Sequence, residues 1–188
     1  MSLFKNLFAA KPAYTEAASI STPYVPEQFT YDLARDLELA QSPHLKDDEE
    51  YRLANSPEPI VRATLAANPS SSEGILNLLA VDAEVNVRAN AFRNENLPIA
   101  LSDDGYPTDE GMVGQFLDYA DVGDPDDVRI LRALLTRENL PTLVIQLIAT
   151  LRDEESLYAE KQLAALIVQH PNTAPEIRDD LSHWLASV

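Results

Sequence analysis

Apolar positions from Thr30 onward recur at helical spacing, in short segments separated by turns that carry Ser, Asn or Pro. We predict one helix at about Glu58 to Ala67, and the turn from Asn68 to Ser72 predicts the start of another at about Glu73 to Val81. Helices of about ten residues cannot bury an apolar face alone. The pattern therefore predicts an all-α chain whose short helices stack on one another.

The helical pattern repeats along the chain. Leu53-Ala54 recurs as Leu79-Ala80, and Val61-Arg62-Ala63 recurs as Val87-Arg88-Ala89, each 26 residues later. Near the C-terminus, Leu163 to Pro171 matches the segment that begins at Val61, with an offset of 102 residues. Each unit has the pattern of two helices, so residues 31–188 are predicted to form one repeat domain of about five helical pairs.

Three segments share a helix-start pattern: Ser56-Pro-Glu-Pro-Ile-Val-Arg62, Asp82-Ala-Glu-Val-Asn-Val-Arg88 and Asp124-Pro-Asp-Asp-Val-Arg129. They resemble the helix start of HEAT repeats. The shorter period, with Leu65-Ala-Ala-Asn-Pro69, is similar to the bacterial leucine-rich repeat variant family. The resemblance covers roughly residues 39–185 with one interruption, and it implies a right-handed α-solenoid. The family's founding type also carries a cysteine-ligated iron–sulfur module, but this chain has no cysteine, so we expect no cofactor.

The arginines of these segments, Arg62, Arg88 and Arg129, follow an acidic residue by three or four positions, which places acid and arginine on one helix face. Arginines in HEAT-like stacks are expected to bridge adjacent repeats. A basic ladder that grips phosphate is the alternative. We favour the structural role, because every arginine has an acidic neighbour within its own segment.

One repeat contains an acidic insertion. The spacing from Arg88 to Arg129 is 41, which exceeds 26 by 15, and the extra residues are placed at about 101–114. From Asn94 to Val128 there are ten acids and no Lys or Arg. A loop with a short helix from about Asp109 to Ala120 is predicted. The predicted partner-binding residues are Asp103, Asp104, Tyr106, Asp109, Glu110, Phe116 and Tyr119, with the aromatic side chains as anchors. A merely solvated loop is the competing interpretation.

Charge narrows the classes of partner. Lys and Arg total 14 against 31 Asp and Glu, a net charge of -17. Such a surface repels nucleic acid and attracts a basic protein. The sequence therefore favours a non-catalytic protein-binding adaptor or regulator. An inhibitor that imitates nucleic acid is the alternative, and a HEAT-like nucleic-acid-modifying enzyme is less favoured because it would need a basic groove.

The sequence offers little for catalysis or metal binding. His44 and His183 lack a partner at metal-ligand spacing, and His170 stands where other repeats have Asn68 and Asn94, which indicates a turn residue. The segment from Ser102 to Glu110 lacks the alternating acids and closing glutamate of a calcium loop. We therefore predict no catalytic residue and no metal.

Residues 1–30 are predicted to form a mobile arm. Their apolar residues would form one stripe on a helix: Leu3, Phe4, Leu7 and Phe8. The stripe suits a docking peptide or weak membrane-surface anchor, or else a tail that packs on its own domain. No apolar run is long enough to span a membrane, and the N-terminus lacks a secretory pattern, so a cytoplasmic protein is expected.

Overall fold

The computed structural model describes residues 32–151 and 157–187. Within these residues the chain is all-helical, with ten helices and, in place of strands, a single β-bridge between Leu101 and Pro107. The helices are α1 (Leu33–Ala40), α2 (Asp47–Ala54), α3 (Pro59–Ala67), α4 (Glu73–Leu79), α5 (Val85–Arg93), α6 (Met112–Leu117), α7 (Pro125–Leu134), α8 (Thr142–Thr150), α9 (Leu157–Gln169) and α10 (Pro175–Ser187). None of these helices combines the length and apolar character that crossing a membrane requires.

Capping side chains and prolines mark several helix starts. Asp32 accepts a hydrogen bond from the N–H of Ala34 at the start of α1, and Asp124 accepts one from the N–H of Asp126 at the start of α7. These bonds satisfy N–H groups that have no partner within the helix. Both α3 and α7 have proline in the first turn, where its fixed φ fits a helix and its missing N–H costs nothing.

The odd-numbered helices pack on one another in chain order, from α1 through α3, α5 and α7 to α9. A second set covers them: α2 contacts α3 and α4, α4 contacts α5, and α8 and α10 contact α9. Both sets contribute fully buried side chains, among them Leu53, Leu65, Leu76, Leu131 and Ile148. The core therefore lies between the two sets and runs along the stack.

Buried polar side chains join successive turns. Asn68 donates from Nδ2 to the carbonyl oxygens of Ala40 and Ser42, at 2.9 and 2.8 Å. Asn94, 26 residues later, donates in the same way to Ala66 and Asn68, at 3.0 and 2.7 Å. The last carbonyls of a helix have no N–H donor within the helix, so these amides supply donors to carbonyls at and just beyond the helix ends; that of Asn68 also accepts the N–H of Ser71. We call this arrangement the turn ladder.

Arg137 and His170 take the place of asparagine in the later turns. Arg137 donates from Nη1 to the carbonyl of Leu97 at 3.1 Å, and burial lowers the pKa of its guanidinium while the charge of Glu95 opposes that effect. Nε2 of His170 lies 2.8 Å from the carbonyl oxygen of Arg137, and Nδ1 accepts the N–H of Asn172. Because Nδ1 accepts, Nε2 carries the proton and donates. The turn ladder thus continues with three kinds of side chain.

Candidate partner-binding surface

The acidic insertion begins with a tight hairpin at residues 100–108. The N–H of Ser102 donates to the carbonyl of Tyr106 at 2.8 Å, which closes the turn between them. The hairpin therefore carries Asp103 and Asp104 at its tip, where both are exposed.

Gly105 gives the tip its shape. Its φ of +83° lies in the left-handed region, which residues other than glycine rarely adopt without strain. A Cβ at this position would lie 3.2 Å from Cδ1 of Leu143, a residue of α8. The turn therefore rests against the helix that follows α7.

The base of the hairpin lies directly against α6. A Cβ on Gly114 would fall 2.0 Å from the carbonyl oxygen of Thr108, so only glycine permits this approach. A Cβ on Gly111 would fall 2.9 Å from the Cβ of Ala100. The fully buried Val113 anchors α6 in the core. The acidic hairpin is therefore held by packed backbone at its base.

The predicted acids of this segment are all exposed: Asp103, Asp104, Asp109 and Glu110. Two aromatic residues are also exposed, Tyr106 to 51% and Tyr119 to 56%. Exposed carboxylates can pair with cations, and exposed tyrosines can bury apolar ring area against a partner. We call these six residues the acidic surface.

Phe116 does not join the acidic surface, although the sequence placed it among the anchors. It is partly buried, and its ring packs against Phe92 of α5 with centroids 5.0 Å apart and planes inclined by 56°. The ring therefore attaches α6 to the helix stack. The other two predicted anchors, Tyr106 and Tyr119, are the exposed ones.

A second group of acids surrounds the start of α7. Asp127 accepts the N–H of Asp121 at 3.1 Å. Its pKa is raised chiefly because burial disfavours the ionised form, and the charges of Asp124 and Asp121 add to the effect; the hydrogen bond from Asp121 and the charge of Arg88 act in the opposite direction. The group is thus a crowded set of carboxylates that extends the negative charge of the insertion.

Two of the three repeat arginines reach the next repeat. Arg62 pairs with Asp82 through two hydrogen bonds, at 2.6 and 2.9 Å. Arg88 lies 3.3 Å from Asp126. Arg129 is exposed, and within the described residues its guanidinium has no ion-pair partner. The partners of Arg62 and Arg88 lie in the following repeat, whereas the sequence drew attention to acids of the same segment.

Two acids outside the predicted partner-binding residues are buried, Asp36 and Glu50. Asp36 pairs with Arg52 at 2.8 Å between α1 and α2. Glu50, the last acid of the run that begins α2, accepts bonds from both the N–H and the hydroxyl of Ser72, at 3.0 and 2.6 Å, at the start of α4. These carboxylates hold helices together, so they are not part of the acidic surface. The sequence alone does not distinguish them from exposed acids, because the residues that they bind are distant along the chain.

The histidines lie apart from one another. His44 is exposed, and His183 is exposed with Nδ1 2.9 Å from the carbonyl oxygen of Asp179, while His170 belongs to the turn ladder. Across residues 32–151 and 157–187, no three His, Asp or Glu side chains are grouped so that they could hold a metal ion. The predicted arm residues Leu3, Phe4, Leu7 and Phe8 lie outside the described residues.

Comparison with protein-family models, with curated proteins and with solved structures finds no match for this chain. The candidate surface is therefore defined by its geometry: an exposed acidic hairpin on a packed base, two exposed tyrosines, and a cluster of carboxylates at the start of α7.

Proposed function

We propose that the chain is a non-catalytic adaptor or regulator whose acidic surface binds a basic protein. As part of the proposal, residues 31–188 form a right-handed α-solenoid of about five HEAT-like pairs, related to the bacterial leucine-rich repeat variant family, with an insertion at about 101–114. The order in which the helices pack and the recurrence of the turn ladder support this architecture. A cytoplasmic location belongs to the same proposal.

One observation carries the functional proposal: the acidic hairpin is exposed at its tip and packed at its base. The approach of Gly114 to Thr108 leaves no room between α6 and the hairpin, and Gly105 rests against Leu143. A surface that is ordered before binding loses little conformational entropy when a partner arrives. Asp103 and Asp104 are therefore presented in a fixed position.

Charge and aromatic area suggest how a partner is recognised. The net charge of -17 accelerates encounter with a basic protein, and opposite charges across an interface fix its orientation. Tyr106 and Tyr119 supply the large, partly apolar side chains that contribute most to affinity at interfaces. A basic protein with an accessible apolar patch is the partner that this surface fits.

The test compares matched variants in pull-downs from host lysate at low and moderate salt. The first variant neutralises the insertion with Asp103→Asn, Asp104→Asn, Asp109→Asn and Glu110→Gln. The control removes the same charge from exposed acids of α4 and α10 with Glu73→Gln, Glu176→Gln, Asp179→Asn and Asp180→Asn. A basic protein retained by the wild type and control, lost from the first variant, and reproduced with purified components supports the proposal.

Equal capture by both variants, or capture of nothing basic, contradicts the proposal. An oligonucleotide added to the purified complex distinguishes the alternative function. Displacement by the oligonucleotide would mean that the insertion occupies a nucleic-acid site on its partner, which favours a mimicking inhibitor. The stretch from Asn94 to Val128, acidic and free of Lys and Arg, is the feature that keeps this alternative in view.

A further inference from the structure

The outer face of α5 and α7 differs in charge from the rest of the molecule. Helix α5 is flanked by α3 and α7 and backed by α4, which leaves one side for solvent. Arg93 lies on that exposed side, and Arg129 and Arg132 are exposed on the neighbouring α7. We call these three residues the arginine face.

Two contacts set the register of α5 against α7. Arg88 reaches Asp126 near the start of both helices, and Arg137 reaches the carbonyl of Leu97 beyond their ends. The helices therefore run in the same direction. Arg93 lies five residues after Arg88 on α5, and Arg132 lies six residues after Asp126 on α7. At a rise of about 1.5 Å per residue, the two arginines stand at nearly the same height.

The arginines lie close enough to act together. Packed helices have axes about 8–10 Å apart, and Arg129 precedes Arg132 by one helical turn. A short extended peptide can therefore contact all three guanidinium groups. In the part of the chain that the structure describes, none of the three has an ion-pair partner, whereas Arg62 and Arg88 are both engaged.

Few acids lie on the helix surfaces around the arginine face. Helices α3 and α5 contain no Asp or Glu, and α7 contains none after Asp127. Exposed neighbours such as Asn86 and Thr136 are neutral. Asp126 lies three residues before Arg129 and pairs with Arg88, and Glu95 follows the end of α5, so acids stand only at the ends of these two helices in a chain that has 31 of them.

We propose that the arginine face binds an acidic peptide segment of a second partner protein, through guanidinium–carboxylate pairs. A guanidinium presents parallel N–H groups that match both oxygens of a carboxylate, as Arg62 and Asp82 illustrate within this chain. This surface is distinct from the acidic surface, and its binding does not depend on the function proposed above.

The net charge selects a short peptide over other anions. A long nucleic acid meets the field of the whole molecule, which is strongly negative, whereas a short segment meets mainly charges within about 8 Å at physiological salt. A second copy of the chain would bring two strongly negative bodies together. A carboxylate-rich peptide is therefore the occupant that the charge distribution favours.

The test measures fluorescence anisotropy of a labelled Glu-rich peptide with the full chain at low salt. Arg93→Gln combined with Arg132→Gln should weaken binding about tenfold, since each exposed pair contributes modestly. The matched control, Arg35→Gln with Lys46→Gln, removes the same charge from exposed positions on α1 and before α2 and should change affinity little. A Gln-rich peptide of equal length should not bind.

Three results would overturn the proposal. The first is no binding of the Glu-rich peptide, and the second is equal weakening by the two double variants, which would indicate a general charge effect. The third is a single-stranded oligonucleotide of equal charge that binds more tightly through the same arginines, which would assign the face to phosphate. Unfolding curves of both double variants, expected to coincide with wild type, exclude loss of folding as the cause.

Discussion

Arg62 and Asp82 form a two-pronged ion pair between one repeat and the next, with Nε 2.6 Å from Oδ2 and Nη2 2.9 Å from Oδ1. The side chains are only 14% and 9% exposed. The hydrogen bond and charge of Asp82 raise the pKa of Arg62, although burial opposes the rise. Arg62 also donates to the carbonyl of Ser56 at 2.8 Å, so one side chain holds three oxygen atoms of two groups.

Replacing Arg62 should therefore destabilise the fold. Arg62→Ala leaves Asp82 charged and largely buried, which should lower the free energy of unfolding by about 2–4 kcal/mol. Arg129→Ala is the matched control, since the same segment pattern places Arg129 on the surface, and its effect should stay within about 0.5 kcal/mol. Urea unfolding followed by circular dichroism measures both. Equal losses would mean that the ion pair contributes nothing particular.

Asn94 should be among the most sensitive polar positions. Asn94→Ala leaves the carbonyl of Ala66 without its donor, removes one of two donors to the carbonyl of Asn68 and frees the N–H of Asn96, so we expect a loss of about 2–3 kcal/mol. Asn86→Ala, on the exposed face of the same helix, should change stability little. Thermal unfolding of the two variants is the comparison. A tolerated Asn94→Ala would argue against the turn ladder as a source of stability.

The fold should tolerate asparagine in place of His170. In His170→Asn, the amide can donate toward the carbonyl of Arg137 and accept from the N–H of Asn172, as Asn68 and Asn94 do in their own turns. The change in unfolding free energy should be under about 1 kcal/mol, whereas His170→Leu should cost about 1–3 kcal/mol. Similar losses for both variants would show that the imidazole has a role beyond the turn.

Asp127 should make stability depend on pH. Its raised pKa means that the folded state binds the proton more tightly, so this group favours folding at low pH and loses that contribution as pH rises from the ordinary aspartate range through the raised pKa. Asp127→Asn stays neutral and can still accept from Asp121. The variant should be more stable than wild type at neutral pH, with the difference shrinking in acid.

Urea midpoints across that pH range test the prediction for Asp127. Asp104→Asn serves as the control, because it removes the same charge from an exposed carboxylate at the hairpin tip, outside the cluster at the start of α7. A stability gain for Asp127→Asn that persists unchanged into acid would contradict the assigned cause.

Gly114 should not tolerate alanine. The added Cβ would collide with the carbonyl of Thr108, so α6 and the hairpin must separate, and amide exchange across residues 100–117 should accelerate. Gly74→Ala is the control: nothing lies near its Cβ position, and alanine in α4 should stabilise by about 0.5–1 kcal/mol. Unchanged exchange in Gly114→Ala would contradict the tight contact between Gly114 and Thr108 at the base of the hairpin.

The regular helices could be predicted closely from sequence. The prediction of Glu58 to Ala67 corresponds to Pro59–Ala67, with Glu58 as the preceding cap residue, and Glu73 to Val81 corresponds to Glu73–Leu79. Proline, serine and apolar spacing are local signals, so they locate such helices well. The insertion was harder. A helix expected from Asp109 to Ala120 extends only over Met112–Leu117, since Gly111 is extended and begins it, and Asp118 ends it.

The arginine of the repeated segment has different roles in different repeats. Arg62 lies four residues after the cap residue Glu58, but Arg129 lies five residues after its cap, Asp124. One residue rotates a side chain by about 100° around a helix, which accounts for its exposure. A motif match could not reveal this shift, because the position of the cap depends on how the preceding insertion folds. The partners at Asp82 and Asp126 were equally hidden, since they follow from packing between repeats.

The acceptors of the turn ladder are main-chain oxygens, and the donors always belong to the later turn. Every amino acid carries such an oxygen, so these hydrogen bonds do not depend on which side chains the preceding turn has. As far as the turn ladder is concerned, a unit could therefore be replaced, duplicated or lost while its neighbours keep their sequences; the ion pairs between repeats, such as Arg62 with Asp82, are the contacts that do require matching side chains. The turn ladder is thus compatible with repeats that arise by duplication. Because every donor points from the later turn to the earlier one, the two ends of the stack differ.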